Sequence, residues 1–156
     1  MAKQRADSPG VIAPPPLLYA GSLLVGLAID HRFPLALFSG SAAKVVGVFL
    51  ILSGVALVYW SFIAMRHIGT SANPYKAAQA LAMDGPYRFS RNPIYVAMNG
   101  AYIGTSLLID SIWPIVLLPP LMALMNWGVI FREERHLEEK FGGAYQAYKK
   151  RVRRWL

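Results

Sequence analysis

Two short stretches of this chain concentrate the residue types that bind and align small molecules. The first is Gly85-Pro86-Tyr87-Arg88-Phe89-Ser90-Arg91-Asn92-Pro93-Ile94-Tyr95. Gly-Pro forces a turn, and Asn92-Pro93 sets another. Pro93 suits the first turn of a helix, where no amide donor is needed. The free amides of such a helix start favour an anion. Arg91 beside them adds a forked donor matched to a carboxylate or phosphate. Taken alone, the segment reads more simply, with Arg88 and Arg91 meeting lipid headgroups at a membrane surface.

The second stretch is Arg132-Glu133-Glu134-Arg135-His136-Leu137-Glu138-Glu139-Lys140-Phe141-Gly142-Gly143, and it resists that simpler reading. Acidic side chains gain nothing from an anionic membrane, and Glu134 stands four residues before Glu138, a repulsive spacing in a helix. Arg135 with Glu139 offsets part of this. Glu133 and Glu134 together therefore suggest a partner carrying hydroxyls or positive charge. No metal is expected, since no His or Asp stands beside them at ligand spacing. Beyond them, Leu137, Phe141, Tyr145, Tyr148 and Val152 recur at helical spacing, and Gly142-Gly143 divides the stripe into two helices. The simple account of this tail is an interfacial helix anchored in lipid by Tyr145, Tyr148, Trp155 and the Lys149–Arg154 cluster.

The elements that must position these residues are apolar. Of 156 residues, 55% are hydrophobic and only 15% charged, yet the net charge is +8. A nucleic-acid binder would spread its Lys and Arg over a polar folded surface; here the charges fall between long apolar runs. Zero cysteines exclude disulfides and thiolate metal sites, and three scattered histidines argue against a structural zinc. Val45–Met65 is 21 residues without a charge, about 31 Å as a helix. Ser111–Phe131 is equally long and carries Pro114, Pro119 and Pro120, which predict a kinked or late-starting helix. Ile94–Ile109 and Pro15–Ile29 are shorter candidates. Cleavage of the first as a signal peptide is not expected, because Asp30-His31-Arg32-Phe33 lacks small residues.

Four crossings place the N-terminus, the Arg66–Arg91 segment and the C-terminal tail on one side, and these hold fourteen of the sixteen Lys and Arg. Positive residues stay cytoplasmic, so both termini are expected there, in a multi-pass protein of the cell membrane. The fold expected is all-α: an integral membrane protein of about four transmembrane helices with C-terminal amphipathic cytoplasmic helices. The chain reads as one domain over 1–156, with a flexible lead-in at 1–14 and the chemistry in 66–156.

The run Gly-Pro-Tyr-x-x-x-Arg-Asn-Pro-x-Tyr, a membrane hairpin, then Glu-Glu-x-x-Leu-x-x-x-Phe-Gly-x-x-Tyr-x-x-Tyr resembles the isoprenylcysteine carboxyl methyltransferase and phospholipid methyltransferase superfamily. These are small integral-membrane enzymes that use S-adenosylmethionine. The resemblance covers about Arg66 to Leu156. It implies that both polar segments close over the cofactor while a lipophilic or lipid-linked substrate enters sideways from the membrane. It further implies cofactor binding by Tyr87, Arg91, Asn92, Pro93 and Tyr95 at the third helix start, and by Glu133, Glu134 and Tyr145. Tyr148 and Arg151 fall in the closing region, near the reacting centre. Three positions depart from the pattern. Asn92 stands where His is common, Ala97 where Gly is common, and Arg153 where Pro is common.

The residue types suit that cofactor. Arg91 and amide donors can take its carboxylate, Glu133 or Glu134 its ammonium or ribose, and Tyr and Phe rings its adenine. No residue stands out as a general base, which favours catalysis by positioning. Two rival readings share these residues: an NADPH-dependent membrane reductase of the same fold, and a non-enzymatic membrane protein that has lost cofactor binding. The expected partners are membrane lipids, the lipophilic substrate and, given the small cross-section, a second copy in a homodimer.

Overall fold

The computed structural model describes residues 9–38, 40–70 and 79–156, and no strand occurs among them. Helix α1 spans Pro15–Arg32, with proline at its first turn. Helix α2 spans Ser41–His67. A 3-10 turn, Gly85–Arg88, leads to α3, Pro93–Leu108. Helix α4 covers Trp113–Met125 and passes through a π-turn, Asn126–Ile130, into α5, Phe131–Phe141. The last helix, α6, is Gly143–Arg151. Each apolar stretch of the sequence is thus a helix. Two helical runs, Ser41–His67 and Trp113–Phe141, are long and apolar enough to cross a membrane. Helices α1 and α3 have 18 and 16 residues.

Helix α3 holds the bundle together. Against α2 it packs almost backbone to backbone, because glycines face each other. A methyl group built on Gly104 would lie 2.6 Å from the Gly47 carbonyl oxygen, and one on Gly54 would lie 2.9 Å from that of Ala97. Small residues that let helices approach this closely are a known way to gain dispersion where no hydrophobic drive exists. Ala97 is buried against α2 at this contact. At the position that departs from the resembled pattern, it is the backbone carbonyl that meets the neighbouring helix. On its other side α3 meets α1 through polar contacts, with the Tyr19 hydroxyl donating to Asn99 Oδ1 at 2.7 Å and the Ser22 and Tyr102 hydroxyls 2.9 Å apart.

Pro119 and Pro120 lie inside α4. Each removes an amide donor from the ladder, and the helix widens to π geometry nearly two turns later. The proline-rich stretch is therefore continuous but irregular. At the far end of the bundle, α3 and α4 are joined by Ile109–Ile112, and Asp110 adopts φ 53°. Its carboxylate accepts the amides of Leu37 and Phe38 at 3.0 and 2.8 Å, pinning the connection between α1 and α2.

The expected lead-in is described only in part, since residues 1–8 lie outside the described residues, as does Lys76 of the middle segment. Residues after Ser8 are packed. Val11 is buried in the core, the Ile12 amide donates to the Gly128 carbonyl at 3.2 Å, and Arg132 Nη1 donates to the Gly10 carbonyl at 2.8 Å.

The glycine contact yields a direct test. Gly104→Val should destabilise the protein by about 1–3 kcal/mol, the cost of overpacking, and lower its Tm in detergent. Gly100→Ala should leave the Tm unchanged or raised, since a methyl there finds its nearest neighbour 3.9 Å away.

Candidate functional site

The two polar stretches meet at one end of the bundle. Gly85 (φ 61°) turns the chain at the end of α2 and delivers Tyr87 inward. Pro93 then starts α3, which projects Tyr95 along the same face. From the other side, α5 brings Glu133 and Glu134, and Gly142 (φ 50°) breaks the helix so that α6 folds back with Tyr145 and Tyr148. Between them lies a cavity of about 500 Å³, a volume in the ordinary range for small-molecule sites. Tyr87, Arg91, Asn92, Pro93 and Tyr95 line it from one side, and Glu133, Glu134, Tyr145 and Tyr148 from the other. Phe62, Met65 and Leu81 give it an apolar flank. Nine of the ten residues singled out from sequence thus share one cavity. The tenth, Arg151, is exposed and stands outside the lining.

The two glutamates have different surroundings. Glu134 is 6% exposed and sits between two guanidinium groups. Arg91 Nη2 reaches its Oε1 at 3.0 Å, while Arg154 donates from Nε to Oε1 at 3.1 Å and from Nη2 to Oε2 at 2.8 Å. Arg154 also stacks over the Phe131 ring at 4.4 Å. Removing one member of such a buried group strands the others. Glu133 has no cation beside it among the described residues; Tyr95 donates to its Oε1 at 2.8 Å. The expected repulsion between Glu134 and Glu138 is relieved, because Lys149 Nζ reaches Glu138 Oε2 at 3.0 Å.

The C-terminal segment forms the back wall. The Arg153 carbonyl accepts the Arg91 amide at 2.9 Å. The Arg154 carbonyl accepts the Ser90 hydroxyl at 3.2 Å and Asn92 Nδ2 at 3.0 Å. Ser90 Oγ in turn accepts the Asn92 amide at 3.0 Å. The Asn92 amide, at the start of α3 where free donors for an anion are expected, is therefore already occupied, as is that of Arg91 before it. Asn92, where the family often has His, fastens the tail. Arg153 contributes only its carbonyl, so nothing at that position requires a proline.

The stripe expected to anchor in lipid turns inward instead. Tyr145 and Tyr148 are 1% and 3% exposed, and the Tyr148 hydroxyl donates to the Tyr87 carbonyl at 2.7 Å. Burial pushes the Tyr148 phenol up to about 12, although Arg91 opposes the shift. Burial raises Tyr87 and Tyr145 as well, with negative charge on Glu133 and Glu134 contributing respectively. All three are therefore neutral donors at physiological pH.

Two residues escaped the sequence reading. Arg154 lies in a basic cluster with nothing to separate it from Arg151 or Arg153. His136 lines the cavity one turn beyond Glu133, a spacing that puts both on one helix face and was legible in principle. Its Nε2 is buried without a hydrogen-bond partner among the described residues, and the same holds for Arg91 Nε. A stranded buried donor or acceptor costs about 1–3 kcal/mol.

Comparison with known proteins follows this geometry. The phospholipid methyltransferase family matches residues 42–144. A protein of Haemophilus influenzae, described only as uncharacterized, is 54% identical over 33 residues, which is 21% of this chain and 52% of that protein. The chain spans about half the length of this curated relative. No solved structure matches it.

The clamp predicts that Glu134 and its neighbour separate experimentally. Glu134→Gln should destabilise the protein by about 3 kcal/mol, the low end for breaking a buried ion group. Glu133→Gln should leave the Tm within a degree or two, and Arg135→Ala, at an exposed pair, should do the same.

Proposed function

The chain belongs to the phospholipid methyltransferase family, and on that premise we propose that it transfers a methyl group from S-adenosylmethionine to a lipophilic acceptor at the cytoplasmic face of a membrane. The observation that carries this reading is the pair of unmatched groups in the cavity. Among the described residues, Arg91 Nε is a buried donor without an acceptor, and Glu133 has no cation beside it. A zwitterionic amino-acid head satisfies both, with its carboxylate on Arg91 and its ammonium on Glu133. The phenol rings of Tyr87, Tyr145 and Tyr148 supply aromatic surface for a purine. These residues fit the cofactor.

When bound, that cofactor supplies an electrophilic methyl group on a positive sulfonium. The protein's part is to align and to dry. Transfer to an anionic or neutral nucleophile disperses charge, so a site walled from water favours it, and alignment within the cavity replaces encounter in solution. The apolar flank of Phe62, Met65 and Leu81 suits a hydrocarbon-bearing acceptor. The outward faces of α1 and α2 expose Leu17, Leu24, Phe49, Leu52 and Val55, an apolar surface for lipid. On this reading all four long helices cross the bilayer, and α5, α6 and both termini lie on the cytoplasmic side.

Within the acidic pair, Glu133 is assigned to the ligand and Glu134 to the protein's own arginines. S-adenosylhomocysteine should bind detergent-purified protein with micromolar affinity by calorimetry, and NADPH should not. Glu133→Gln should weaken that binding at least tenfold. Arg91→Lys, which keeps a charge for Glu134 but loses the fork, should cost about 1.5–3 kcal/mol of binding. Binding of NADPH instead would replace this function by a reductase, and a folded protein that binds neither would remove it.

A further inference from the structure

We propose that His136 Nε2 is the proton acceptor for the nucleophile in methyl transfer; the inference rests on the methyl-donor reading above. Transfer to a protonated nucleophile leaves a proton to place. The C–S bond breaks with its electron pair going to sulfur, the nucleophile's lone pair forms the new bond to carbon, and its proton passes to Nε2. The products are a thioether, a methylated acceptor and an imidazolium, with total charge unchanged.

Several polar groups lining the cavity are already engaged. The Asn92 amide is bonded to the Arg154 carbonyl, and Glu134 is held by two arginines. Thr70 Oγ1 accepts the amides of Gln79 and Ala80. The Tyr148 and Tyr95 hydroxyls already donate, to the Tyr87 carbonyl and to Glu133. Glu133 accepts that bond and is the group assigned to the ligand's cation. Arg91 has no lone pair to offer. His136 lines the cavity, and its Nε2 is buried and bonded to nothing among the described residues. With the proton on Nδ1, its lone pair is available. Helix spacing sets it on the face that carries Glu133, and Leu137 beside it also lines the cavity. The residue thus adjoins an apolar wall suited to a lipophilic acceptor.

Two non-reacting probes separate the reacting end from the rest of the cofactor site. S-adenosylhomocysteine lacks the methyl group. Sinefungin carries an amine-bearing carbon at that position and donates hydrogen bonds toward the place of the nucleophile, directly or through one water. His136→Phe should weaken sinefungin about tenfold and S-adenosylhomocysteine less than twofold, whereas His136→Gln should retain most of the sinefungin affinity through its amide. In ring-15N spectra, with His31, His67 and His136 assigned by substitution, sinefungin should shift His136 Nε2 toward a hydrogen-bonded nitrogen and S-adenosylhomocysteine should not.

Equal losses for the two probes would place His136 in the cofactor site or the fold and overturn the proposal. So would unchanged affinities with an unmoved Nε2 resonance. Wild-type protein that binds neither probe would overturn the methyl-donor reading itself, a result distinct from both.

Discussion

A carboxylate between two guanidinium groups organises this end of the molecule. Glu134 comes from α5, Arg91 from the entry to α3, and Arg154 from the segment after α6. Each is expensive to bury alone, and together they are satisfied. The consequence is geometric. Fixing Arg91 fixes the start of α3 and so the direction of Tyr95. Fixing Arg154 brings the backbone of the tail against Ser90 and Asn92. The cavity's polar wall follows from one ion cluster, and its apolar wall from the glycine contact of α2 with α3.

The same cluster also distinguishes two adjacent residues by their surroundings. Glu133 and Glu134 are neighbours in sequence, so on a helix they point about 100° apart. One turns to the arginines and is neutralised by protein; the other turns to the cavity and is held only by a phenol. A doubled acidic residue thus meets two different surroundings, one ionic and one facing the cavity.

Much of this was legible in the chain. The four apolar stretches became helices because length and absence of charge leave them little else, and the Gly142 break was readable from its dipeptide. Nine of ten site residues converge, since a motif at each side of a hairpin-length gap must meet when the hairpin closes. What the sequence concealed was side-chain direction after the break. Tyr145 and Tyr148 have a spacing that suits lipid anchoring and inward packing equally, and only the turn at Gly142 decides between them. In the run Arg151-Val152-Arg153-Arg154, composition is uniform, so nothing distinguishes the residue that reaches Glu134 from one that meets solvent. His136 was passed over because a single histidine carries no pattern; its significance lies in an unused atom, which spacing cannot reveal.

The pairing of Asn92 with Arg154 spans 62 positions of the chain, and that of Tyr87 with Tyr148 spans 61. Contacts of such separation are slow to close, because the loop entropy is spent before the contact forms. The helices, by contrast, form from local hydrogen bonds and associate afterwards. The bundle carries contacts of the same kind, since Tyr19 meets Asn99 across 80 positions of the chain. Bundle and polar end thus carry the same loop-closure cost, and neither can close ahead of the other on chain separation alone.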